Sequence, residues 1–124
     1  MLNTWLIFLG AGVGGVVRYW VSNAIHLFCS RQFPYGTLIV NVSGCLLMGF
    51  LFTFTIERFS EIGPQLRALL LIGLLGGYTT FSSFSIETYH LIENGEWFNA
   101  GLYVLLSVIL CLLFTCLGVL GAKQ

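Results

Sequence analysis

The 124-residue chain is 57% hydrophobic and 8% charged, with five basic and five acidic residues and a formal net charge of zero. A soluble domain carries about 25% charged residues, so this chain has too few to cover a water-facing surface, and a mean hydropathy of +0.93 places it in a membrane. Zero net charge offers no basic face for nucleic acid, the lack of any Asp removes the usual ligands of a paired-carboxylate site, and Cys29, Cys45, Cys111 and Cys116 have neither metal-site nor CxxC spacing.

The expected fold is an all-α integral membrane protein. It forms a single membrane domain over 1–124, with four transmembrane helices at about 4–28, 36–56, 65–92 and 97–121. The first helix carries Gly10, Gly12, Gly14 and Gly15. Their match to a G-x-G-x-x-G dinucleotide fingerprint lacks the strand-turn-helix context that fingerprint needs. Gly10 and Gly14 also stand at G-x-x-x-G spacing, which lets two membrane helices approach closely. Arg18 is costly within lipid, so it either snorkels to the interface beside Tyr19 and Trp20 or faces a cavity or partner. Near a pore mouth it would draw anions inward.

In the second helix Thr37 and Asn41 share a face. A carboxamide in lipid must find a partner, either on another helix or in an ion path. A polar linker over Glu57–Pro64, containing Arg58 and Glu61, leads to the third helix. That helix is expected to break near Gly76–Thr80, because adjacent glycines weaken helices and five Ser or Thr hydroxyls follow Tyr78 within Thr79–Ser85. Unpaired backbone at membrane depth survives only where it is buried in protein or lines a watery path.

After the break, Phe81 and Phe84 project from one face and Ser82 and Ser85 from a neighbouring one; Glu87 and His90 follow. The two rings pack only, or else present their electron-poor edges to an anion. Carbonyl oxygens freed at a helix break can hold a small cation. In the fourth helix Tyr103, Ser107 and Cys111 form a mildly polar stripe. Both histidines, His26 and His90, read as interfacial or packing residues, and no activated nucleophile suggests an enzyme.

The basic residues divide weakly between the two sides of the membrane, so the chain could insert either way up. Four helices cannot form an inverted repeat within one chain. A site with inverted two-fold symmetry would need a second copy in the opposite orientation.

Gly36-Thr37-Leu38-Ile39-Val40-Asn41, the 76–85 stretch and the glycine-rich first helix together resemble the Fluc or CrcB family of fluoride channels over essentially the whole chain. The resemblance implies passive, fluoride-selective conduction out of the cytoplasm. It implies an antiparallel, dual-topology homodimer in the bacterial inner membrane, with two pores and a structural sodium ion at the dimer centre. Phe81 and Phe84 match the paired phenylalanines whose ring edges contact fluoride, and Asn41 matches the pore asparagine. Thr37, Tyr103 and Ser107 match the polar track, and Ser82 joins the same expected lining. Gly76 and Thr79 match the sites whose backbone carbonyls hold sodium, and Arg18 and Glu87 match the charged residues of the first and third helices. Cys111 departs from the pattern, which tends to serine there, and Tyr78 stands where an aliphatic residue is usual.

Two other classes compete with this reading. A proton-coupled small multidrug transporter would need a carboxylate in the first helix, which has Arg18 and no acid. A non-transporting assembly subunit would use its glycines only to pack helices.

Overall fold

A computed structural model describes residues 1–58 and 63–124; Glu61 and the middle of the expected Glu57–Pro64 linker lie outside them. Among the described residues four helical passes are long and apolar enough to cross a membrane. The first pass is α1 (Leu2–Phe28), and the second is α2 (Tyr35–Arg58). The third begins with α3, which is α-helical over Gly63–Leu66, π-helical over Arg67–Leu75 and α-helical again over Gly76–Tyr78. It resumes as α4 (Phe81–Glu93), and α5 (Trp97–Lys123) is the fourth pass.

Local hydrogen bonds close the connections from α1 to α2 and from α4 to α5. At the end of α4, Gly95 takes a positive φ of 79°, which favours glycine. Its N–H donates to the Ile92 carbonyl at 3.0 Å, and the Glu96 N–H donates to the Leu91 carbonyl at 2.8 Å. This is a Schellman closure, which satisfies end carbonyls and reverses the chain into α5. At the other connection, the Gly36 N–H donates to His26 Nε2 at 3.3 Å, tying the start of α2 to the end of α1.

Two seams hold the bundle. Along α1 and α3, Gly10 lies against the backbone of Leu69 and Leu74, and Gly14 against Leu74 and Tyr78. From the other side Gly73 lies against Gly10, and Gly77 against Ala11. The close approach expected from Gly10 and Gly14 is therefore made against a second glycine pair, Gly73 and Gly77. Lipid tails are as apolar as the side chains, so such backbone contact replaces the hydrophobic drive that water would supply.

The second seam joins α2 to α5, two passes that run in the same direction. Gly49 meets the Thr115 backbone, and Gly118 meets Leu46 and Phe50. Outward positions such as Phe8 and Leu105 are exposed, as lipid-facing residues must be.

Candidate functional site

The third pass opens at Thr79–Thr80. Thr79 has φ −83° and ψ 158°, and Thr80 has φ −153° and ψ 119°, both extended. Gly76 and Gly77 stay helical, so the break falls at the far end of the interval where it was expected. Gly77 serves packing against Ala11 rather than chain rupture.

The ends of the break are bound from both sides. Asn41 Nδ2 donates to the Thr80 carbonyl at 3.0 Å, and the Thr80 N–H donates to Asn41 Oδ1 at 2.8 Å. Thr80 Oγ1 accepts from the Ser83 N–H at 3.1 Å, the usual cap of a new helix. On the α3 side, the Thr79 hydroxyl and N–H both donate to the Leu75 carbonyl, at 2.9 and 3.0 Å. Arg18 Nε donates to the Gly77 carbonyl at 3.2 Å, so a cation sits at the negative end of α3. No hydrogen-bond donor reaches the carbonyls of Gly76 and Thr79 among the described residues.

Tyr78 anchors the last turn before the break. Its hydroxyl lies 3.0 Å from Ser43 Oγ, whose own proton goes to the Val40 carbonyl, so Tyr78 is the donor. Gly44 leaves the room that Tyr78 and Thr79 occupy; a Cβ there would strike the Thr79 methyl group.

Around the break lie two cavities. The first, of about 400 Å³, is lined by Asn41, Cys45, Thr79, Thr80, Phe81, Phe84, Ser107 and Cys111 among others. The Phe81 and Phe84 ring centroids are 5.4 Å apart at 50°, and Phe84 is 5.1 Å from Tyr103. The Ser107 hydroxyl oxygen is buried without a hydrogen-bond partner.

The second cavity, of about 420 Å³, is more polar and is lined by Arg18, Ser22, Asn23, Thr37, Thr80, Ser83 and Glu87. Thr80 belongs to both walls. The Tyr103 hydroxyl donates to Glu87 Oε1 at 3.1 Å, so this fully buried residue packs its ring on Phe84 of the first cavity and bonds Glu87 of the second. Glu87 also borders a third cavity of about 380 Å³ with His26, Arg31, His90 and Glu96.

Of the expected lining, Asn41, Phe81, Phe84 and Ser107 share the first cavity with Thr79. Arg18, Thr37 and Glu87 share the second. Tyr103 bridges them. Ser82 is exposed, bonded to the Thr80 hydroxyl at 3.3 Å, and lines neither cavity; its neighbour Ser83 faces the second. Gly76 is exposed beside the break.

Sequence reasoning missed Thr80, which occupies the N-cap position of α4, and Cys45. The latter had a signal, since it follows Asn41 by one helical turn on the same face. The parallel seam explains the alignment: Asn41 shares a cavity with Ser107, Cys45 shares it with Cys111, and Gly49 meets Thr115. Each pair lies one turn beyond the last.

Four apolar passes, a bonded break at mid-chain, and a largely apolar and a polar cavity beside it define a multi-pass membrane protein built around a discontinuous helix. Residues 5–119 match the family described as "CrcB-like protein, Camphor Resistance (CrcB)". The chain belongs to the CrcB family. It is 61% identical over 123 residues to a protein of Coxiella burnetii named "Fluoride-specific ion channel FluC", with 99% of each chain covered. Proteins of the same name from Methylococcus capsulatus and Geotalea daltonii are 47% and 45% identical. The first match covers 99% of this chain and 54% of the relative, the second 95% and 96%. The relatives are named as ion channels, not enzymes.

Proposed function

We propose that this chain is a passive, fluoride-selective channel that lets cytoplasmic fluoride leave across the bacterial inner membrane. The observation that carries the reading is Ser107. Its hydroxyl is buried without a partner, in the same cavity as the Asn41 amide and the Phe81 and Phe84 rings. A buried polar group left unsatisfied costs about 1–3 kcal/mol, so it calls for a ligand that the protein does not itself supply.

The donor set suits a small anion. Asn41 spends one Nδ2–H on Thr80 and keeps the other. Ring edges carry partial positive charge. None of these donors titrates near neutral pH, so fluoride would be held by neutral groups, tightly enough to enter and loosely enough to leave. Fluoride is the smallest halide and accepts the strongest hydrogen bonds from such donors. Arg18 and the second cavity would gather anions at the approach.

An antiparallel homodimer with two pores completes the reading. Phe81 is 79% exposed and Gly76 is exposed, both at mid-pass, where polar backbone needs cover from lipid. A second, inverted copy would supply that cover. The carbonyls of Gly76 and Thr79 fit a hard cation such as sodium, being oxygen ligands that no donor occupies among the described residues. Bound sodium would add fixed positive charge where two broken helices meet. The chain's own part is to fix the backbone next to those carbonyls, through Arg18 on Gly77 and Asn41 on Thr80.

The experiment is ion release from loaded liposomes, read with fluoride and chloride electrodes in parallel, for the parent, Phe81→Ile and Asn41→Asp. Fast fluoride release with little chloride release, lost in both variants, is the expected result. A folded parent that releases no fluoride would end the reading and favour an assembly role.

A further inference from the structure

We propose that Cys45 and Cys111 form a two-sulfur site for a soft, linearly coordinating metal cation of the class of Cu⁺, Ag⁺ or Hg²⁺. The two thiols come from different helices and line the same cavity. Their positions match across the seam, each four residues on from Asn41 or Ser107, which line the same cavity. The parallel α2–α5 seam fixes this meeting, since Asn41 and Ser107 share the cavity one turn before and Gly49 lies against Thr115 one turn after. Close helix packing at Gly49 and Gly118 leaves the backbones little freedom to separate the sulfurs.

Both cysteines are free and half-buried, so the sulfurs are reachable from the cavity yet held in place. Soft thiolates select soft metals, and cations of this class take two ligands in a line, which a facing thiol pair provides. No His, Cys or carboxylate group of three or more gathers anywhere among the described residues, so a four-ligand zinc site is not what the pair offers. Binding forms two metal–sulfur bonds and releases both thiol protons to solvent, with no change in oxidation state. The binding site stands apart from the transport reading. Its consequence rests on that reading: a metal held one turn from Asn41 and Ser107 would obstruct the anion's cavity.

The test uses the full chain carrying Cys29→Ser and Cys116→Ser, so that only the pair remains. The protein is titrated with mercuric nitrate, washed with excess free cysteine, and read by intact mass and by sulfur-to-metal charge-transfer absorption. One retained mercury per chain is expected, because two tethered sulfurs outcompete separate thiols through effective concentration. Adding Cys45→Ser or Cys111→Ser should abolish retention at an unchanged elution profile, with alanine at either position as the second variant. No retention by the pair, or equal retention after either substitution, would overturn the site. Fluoride release from the same samples separates the two readings. Slowed release on binding joins the site to the ion path; retained mercury with unchanged release keeps the site and removes this cavity from the path.

Discussion

Asn41 holds Thr80 by both faces of its peptide, giving a hydrogen to the carbonyl at 3.0 Å and taking one from the N–H at 2.8 Å. An amide is the side chain that can do both at once. It makes Asn41 a substitute for the helical hydrogen bonds that the extended residues lose.

Asn41→Ala should therefore destabilise the folded protein by about 2–4 kcal/mol, since it strands a donor and an acceptor beside the break. Thermal unfolding in detergent measures this. An unchanged midpoint would mean that water replaces both bonds without loss.

The α1–α3 seam gives a matched pair of substitutions. In Gly14→Ala the new Cβ would meet the Leu74 carbonyl and lie 2.9 Å from the Tyr78 N, both backbone atoms that cannot swing aside. Overpacking of this kind costs about 1–3 kcal/mol or more, and here it would also displace the turn that carries the break. Gly12→Ala meets nothing within 4 Å and should gain helix stability of about 1 kcal/mol. Folded yield and unfolding midpoint should move in opposite directions for the two variants.

Tyr103→Phe isolates a single hydrogen bond. The ring would keep its contacts, with centroids 5.6 Å from Phe33 and 5.1 Å from Phe84. Only the 3.1 Å donation to Glu87 would go. A net hydrogen bond contributes about 0.5–1.5 kcal/mol, so a modest fall in the unfolding midpoint is expected. Fluoride release should slow as well, because Glu87 borders the second and third cavities and would lose its tether. Release at the parental rate would confine Tyr103 to packing.

The four passes were legible because lipid demands long apolar runs, and the G-x-x-x-G pairs because close helix contact in lipid demands small residues. The place of the break was legible only to within a few residues. Glycine propensity pointed at Gly76 and Gly77, but their contact with α1 keeps them helical, and the extended residues depend on Asn41, which lies 39 positions away in sequence. Local propensity cannot report a partner at that distance. Tyr78 looked anomalous for the same reason, since its explanation is the Ser43 hydroxyl on another helix. The π-helical turns of Arg67–Leu75 have no mark in a segment that is apolar from Ala68 onward. Cys45 was hidden by its chemistry: in an apolar run it reads as a small hydrophobe, and only the parallel seam brings Cys111 to the same cavity.

Ser107→Ala separates a binding role from a structural one. Most buried hydroxyls in helices bond back to a carbonyl one turn earlier, as Thr115 does to Cys111 at 2.9 Å. Ser107 makes no such bond, so its hydroxyl contributes nothing to the fold that the substitution would remove. Losing an unsatisfied buried group should leave stability unchanged or raise it by about 1 kcal/mol. A hydroxyl that serves as an anion donor would show the opposite sign in transport, with fluoride release falling while the unfolding midpoint holds or rises. A fall in both together would mean that Ser107 packs the α2–α5 seam. Unchanged release in a protein of equal or greater stability would take Ser107 out of the ion path, and with it the observation on which that path is drawn.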